Sequence, residues 1–157
     1  MRILSIDPAS TTGFAYVGEA GRISGTWDLS TRRDESTGMK LLRLESKLVE
    51  FAKVGVDLIV FESPALRTKF PLALVSHAKL VGVIERFCER RQIPSRGYPP
   101  TEIKKFVGKG NAGKDAVIAA VRAKFGYDGN DNNEADAIAL LELARSVYDQ
   151  DDSRIPF

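Results

Sequence analysis

Residues 55–64 read GVDLIVFESP. Gly55 and Asp57 carry turn character, Leu58 to Phe61 are apolar without a break, and Glu62 ends the run before Ser63-Pro64. A run this short, bounded by chain breakers and lacking polar alternation, is predicted to be a central strand buried on both faces, Leu58 to Glu62. Strands of that kind belong to sheets covered by helices on both sides, so the chain reads as α/β. Toward the N-terminus, Arg2 to Asp7 (RILSID) repeats the habit: apolar residues, then an acid, then Pro8. Thr12 to Val17 and Ile23 to Leu29 are two more β-leaning segments, joined by a Gly18 to Gly21 turn, which implies an antiparallel meander of the first three strands. Thr37 to Lys53 then switches to helical spacing, with Leu41, Leu44, Leu48 and Phe51 on one side.

Toward the C-terminus, Pro71 to Arg91 is predicted to be a long helix, opened by Pro71 and finished before Pro94. Ile93 to Tyr98 is a weaker fifth strand. Beyond Pro99-Pro100 come a short helix near Thr101 to Phe106, a Gly-rich turn at Gly108 to Gly113, a helix from Lys114 to Phe125 and a last helix from about Asn133 to Tyr148. The expected architecture is a mixed five-stranded sheet flanked by helices, an antiparallel meander followed by parallel strands. At 157 residues the chain suits one domain, residues 1–150, with 151–157 as a tail.

Hydrophobic residues make up 43% and charged residues 28%, which separates the chain from disordered sequences. No apolar run is long enough to span a bilayer and no secretory signal opens the chain, so a soluble cytoplasmic protein without membrane attachment is expected. A single cysteine, Cys88, excludes an intrachain disulfide and cysteine-based zinc sites. The net charge of +2 conceals a division along the chain. Residues 1–62 hold 8 basic and 9 acidic residues, residues 63–125 hold 13 and 4, and residues 126–157 hold 2 and 8. A basic middle of that size suits a polyanionic partner.

Asp7 and Glu62 each close an apolar strand, where a buried charge is expensive without a partner. If those strands are adjacent and parallel, both acids reach one sheet edge, the place where open α/β sheets bind ligands. A third acid, Asp136, lies on the same face of the last helix as Leu140, Leu143 and Val147. Packing that face on the sheet would aim Asp136 at the same edge. Three converging carboxylates repel one another unless divalent cations bind between them, and hard oxygen ligands favour Mg²⁺ or Mn²⁺.

IDPASTTGFAYV, LIVFESPA, PPTEIKKFVGKGNAGKDAV and NEADAIALLELA resemble, in order and spacing, the motifs of RuvC-type Holliday junction resolvases. The resemblance runs from Arg2 to about Arg145, and the compact length and NEADA variant lean toward phage-like members. It implies a ribonuclease H-like fold, a homodimer, and metal-dependent nicking of four-way or otherwise branched DNA with two Mg²⁺ (or Mn²⁺) ions per active site. Asp7, Glu62 and Asp136 match the family's catalytic carboxylates. A fourth ligand normally stands one turn before the last Asp, where this chain has Asn133; its amide oxygen, or else Glu134 or Asp131, would serve. Lys114 matches a family lysine near the active site, placed to hold the scissile phosphate.

Lys104, Lys105 and Lys109 are expected on flanking phosphates, together with Arg67 and Lys69 in the loop after Glu62. Leu66 and Phe70 lie in that loop too, where family members carry apolar groups that enter the opened junction. Helix 71–91 shows two apolar stripes, Leu74, Ala78, Val81 and Cys88 beside Leu80, Val83, Ile84 and Phe87, and the surplus suggests a partner helix in a two-fold dimer. The resemblance places the family's dimer contact on the same helix. His77, the only histidine, reads as a structural or interface residue remote from the acids, and Cys88 as a small apolar filler. Two other readings compete: a non-catalytic junction-binding protein of this fold, and an actin-like phosphotransferase, for which the chain is too short to supply a second lobe.

Overall fold

The computed structural model describes residues 1–65 and 70–149. Five strands form one sheet: β1 (Ile3–Asp7), β2 (Thr11–Gly18), β3 (Gly21–Asp28), β4 (Leu58–Glu62) and β5 (Ser95–Tyr98). The helices are α1 (Gly38–Val54), α2 (Pro71–Arg91), α3 (Pro100–Val107), α4 (Lys114–Phe125) and α5 (Asn132–Tyr148). The sheet order is β3-β2-β1-β4-β5, with β1–β2 and β2–β3 antiparallel and β1–β4 and β4–β5 parallel. The mixed sheet expected from the sequence is therefore present, and β1 and β4 are neighbours.

The strand period of two divides the core. Ile3 and Ala15, with Leu58 and Val60, face α3, α4 and α5; Leu4 and Ile6, with Ile59 and Phe61, face α1 and α2. This double covering explains why β1 and β4 are apolar throughout instead of alternating. An ion pair at the start of the two strands locks their register: Arg2 Nη2 donates to Asp57 Oδ1 at 2.6 Å, and the Arg2 backbone N–H donates to Asp57 Oδ2 at 2.8 Å. The ladder then runs from Ile3 opposite Leu58 to Ile6 opposite Phe61.

Helix α2 differs from its expected role in one respect. Of the residues assigned to two stripes, Leu80, Val81, Ile84, Phe87 and Cys88 lie in this chain's own core, Leu74 and Val83 are half-buried and Ala78 is exposed. The exposed apolar surface of α2 is at its N-terminal end, Leu72 and Val75, followed on the outer side by Ala78 and Gly82. Among the described residues no helix is long and apolar enough to cross a membrane.

Candidate active site

Asp7 and Glu62 occupy the next rung beyond Ile6 and Phe61, at the carboxyl ends of neighbouring parallel strands. Alternation puts Asp7 on the side of Ile3 and Ser5, and Glu62 on the side of Leu58 and Val60, so both point to the face covered by α5. Asp136 is carried there by α5. Two contacts near the site seat this helix. Ser5, fully buried, places its Oγ 2.7 Å from the Ala137 carbonyl and 3.1 Å from that of Ala15, joining β1 to the residue beside Asp136. Gly13, the ladder partner of Asp7, lies so close to α5 that a Cβ there would overlap the Asn133 carbonyl.

The electrostatics are consistent with three acids near one another. Burial and the Asp136 charge raise Asp7 to about 7, with Lys114 opposing. Burial and the charges of Asp7 and Asp136 raise Glu62 to about 8, with Lys104 opposing. Burial raises Asp136 to about 6 against the pull of Lys104 and Lys114. Burial is the main cause of all three shifts, and neighbouring negative charge adds to it at Asp7 and Glu62.

Lys104 on α3 and Lys114 at the start of α4 are thus the two lysines that the carboxylates feel. Lys105 and Lys109 are exposed and take no part in these couplings. Phe70 immediately precedes α2 and is 71% exposed. Leu66, Arg67 and Lys69 lie outside the described residues.

The candidates for the fourth ligand separate clearly. Glu134 is engaged elsewhere, accepting from Ser24 Oγ at 2.7 Å and from the Tyr127 hydroxyl at 3.1 Å. Asp131 caps α5: its Oδ1 accepts from the backbone N–H groups of Asn133 (2.8 Å) and Glu134 (3.0 Å), while its charge still contributes to raising Asp7. Asn133 Oδ1 accepts from Asn132 Nδ2 at 3.1 Å.

One residue is closer to the acids than its sequence position suggests. His77 is not remote: its Nε2 lies 2.9 Å from the Glu62 backbone carbonyl. A carbonyl only accepts, so that nitrogen carries the proton, and the ring ties α2 to the end of β4. No sequence pattern pointed to this contact or to the roles of Ser5 and Gly13.

No protein-family model matches the chain. The crossover junction endodeoxyribonuclease RuvC of Corynebacterium glutamicum is 29% identical over 151 residues, covering 92% of this chain and 67% of the relative. The structure of Thermus thermophilus RuvC superposes with a TM-score of 0.74 at 21% identity, each chain covered in full. The same protein in complex with a Holliday junction substrate gives 0.77 at 20% identity, covering 100% of this chain and 99% of that one. This is the RuvC fold. Within it, the sequence similarity covers 92% of this chain, and Asp7, Glu62 and Asp136 lie on the elements that border one sheet edge.

The donor set suits a hard divalent cation. Among the described residues no group of three or more His, Cys, Asp or Glu side chains is assembled tightly enough to hold a metal ion by itself. Mg²⁺ does not require such a cage, because it retains waters and takes one or two carboxylates together with substrate phosphate. The raised pKa values of Asp7, Glu62 and Asp136 are the observation that fits a cation between them.

Proposed function

We propose that this protein is a structure-selective endonuclease that resolves Holliday junctions and related branched DNA by metal-dependent phosphodiester hydrolysis. The observation that carries the reading is the placement of Asp7, which is buried, and of Glu62 and Asp136, which are half-buried, toward one edge of a RuvC fold, with all three held above the ordinary carboxyl range. Asp7, Glu62 and Asp136 would hold two Mg²⁺ or Mn²⁺ ions, with Asn133 offering an amide oxygen where relatives of this type carry a fourth acid. When bound, such ions supply the Lewis acidity that activates water and stabilises the leaving 3′ oxygen.

The protein's own groups do the rest. Lys114 and Lys104 attract the scissile phosphate into a site whose carboxylates would otherwise repel it, and they offset the charge that develops on its oxygens. His77 and Ser5 fix the backbone on either side of the acids, so that little reorganisation accompanies reaction. Lys105, Lys109, Arg67 and Lys69 contribute sequence-independent phosphate contacts, and Phe70 an exposed apolar group beside the site. The protein acts as a homodimer through α2. Exposed Ala78 and Gly82, about one turn apart, let a second copy of the helix approach closely, and a Cβ at Gly82 would meet nothing.

The test is nicking of a synthetic four-way junction with Mg²⁺ present. Asp7→Asn should reduce the rate by about 10³-fold or more while junction binding in EDTA persists. Wild-type protein that binds the junction but does not cut it with Mg²⁺ or Mn²⁺ would make it the non-catalytic binder, a reading that Asn133 favours.

A further inference from the structure

The side of the sheet away from the carboxylates' lysines holds an unused cationic site. A groove of about 230 Å³ opens between α1 and α2, lined by Thr31, Lys40, Leu41, Leu72, Ser76 and Lys79 among others. Lys40 is fixed inside it: its ammonium donates to Ser10 Oγ at 2.8 Å and to Ser76 Oγ at 3.2 Å. Three separate segments meet at this nitrogen, namely α1, α2 and the β1–β2 connection that begins directly after Asp7. Neither Lys40 nor Lys79 has a carboxylate partner among the described residues, and no acidic side chain lines the groove. Two ammonium groups held beside hydroxyls, with an apolar wall that leaves Leu72 84% exposed, suit an anion attached to something apolar. A nucleotide has that chemistry.

Position decides which nucleotide. Lys104 and Lys114 approach the carboxylates from the α3–α5 face, whereas Lys40 and Lys79 belong to the α1–α2 face. Ser10 is three residues beyond Asp7, so the groove begins beside the same sheet edge. We infer that the α1–α2 groove binds a backbone phosphate of the DNA strand flanking the scissile one, with Lys40 and Lys79 as its ligands. A strand crossing the edge is then held on both sides of the cut. This inference rests on the nuclease reading for its ligand, and the experiment separates the two.

Junction binding is measured by fluorescence anisotropy in EDTA across a KCl series. Lys40→Gln should lower affinity about tenfold and reduce the slope of log K against log[salt] by about 0.9, the value for one lost phosphate contact. Lys79→Gln, on the rim and free of the Ser10 and Ser76 bonds, should reduce the slope in the same direction without affecting folding. Lys40→Arg should restore most of the loss. Lys53→Gln, exposed in the last turn of α1, serves as the charge control and should leave the slope unchanged. Wild-type slopes in both Lys40→Gln and Lys79→Gln, or an equal loss in Lys53→Gln, overturn the groove. Protein that never nicks with metal yet loses slope on Lys40→Gln overturns the nuclease reading and keeps the groove; wild-type protein that binds no DNA defeats both.

Discussion

Asp7 and Glu62 are placed by the sheet, whereas Asp136 is placed by a helix lying on it. The first two need only the β1–β4 ladder and the Arg2–Asp57 latch at its far end, so their separation is set by backbone pairing. Asp136 depends on how closely the first turns of α5 approach β1 and β2, where the missing Gly13 side chain and the Ser5 hydroxyl are the contacts beside it. The sheet-borne pair should therefore tolerate changes around it, while the helix-borne acid should respond to substitutions that remove no ligand. Gly13→Ala tests this most severely. Its new Cβ would overlap the Asn133 carbonyl, a backbone atom that cannot rotate away, so α5 must lift from the sheet. A displacement of about 1 Å is enough for roughly a 100-fold loss of nicking. Alanine at Gly25, on the same pair of strands but against the movable ring of Phe14, should cost severalfold at most. Equal activity in the two variants would break the distinction.

The second test treats the three acids together. All have folded-state values above those of free carboxyls, about 7, 8 and 6 for Asp7, Glu62 and Asp136. Between about pH 4 and pH 8 these three groups hold more protons in the folded protein than in the unfolded chain, so their contribution to metal-free stability is fullest near pH 4 and falls as pH rises through that window. Even the smallest of these rises, Asp136 from 3.8 to about 6, corresponds to about 3 kcal/mol. Thermal melts in EDTA should show Tm falling from pH 5 to pH 8. Mg²⁺ should raise Tm more at pH 8 than at pH 5, because it competes with protons for the same oxygens. Asp7→Asn should flatten the profile; a profile unchanged by that substitution would mean that the acids do not share one site.

The same division governs what the sequence revealed. Apolar runs ending in acids announce themselves, so β1, β4, Asp7 and Glu62 were legible, and the apolar face of α5 pointed to Asp136. Residues whose function is to allow or fix a contact leave no pattern. Gly13 looks like any strand glycine, and Ser5 like an interruption in an apolar strand. His77 could be read as remote because its partner is a backbone carbonyl fifteen residues away, with no side-chain complement to search for. On α2 the two stripes could not be assigned from spacing alone: a helix seated against both the sheet and α1 buries a wide arc, so Leu80, Val81, Ile84, Phe87 and Cys88, drawn from both stripes, enter this chain's own core while Ala78 stays exposed. Glu134 shows the converse case, an acid beside the motif that the structure assigns to Ser24 and Tyr127.

Ser5→Ala gives the smallest and most discriminating effect. The Ser5 hydroxyl has one proton, and at 2.7 Å the Ala137 carbonyl is its nearer acceptor. Removing it leaves the Ala137 carbonyl in its helix but unanchored to β1, at a cost of about 1 kcal/mol for a neutral hydrogen bond. Ser24→Ala removes a bond of equal length, 2.7 Å, on the same helix, but to Glu134, which faces away from the acids. The two variants should lose similar stability by denaturant titration. Only Ser5→Ala should also require more Mg²⁺ for half-maximal nicking, by roughly five- to tenfold, since only that bond adjoins Asp136 and outer-shell partners of ligands typically matter at that scale. If Ser24→Ala raises the Mg²⁺ requirement equally, α5 is positioned as a rigid body by its whole packing surface, and Ser5 holds no special place beside the site.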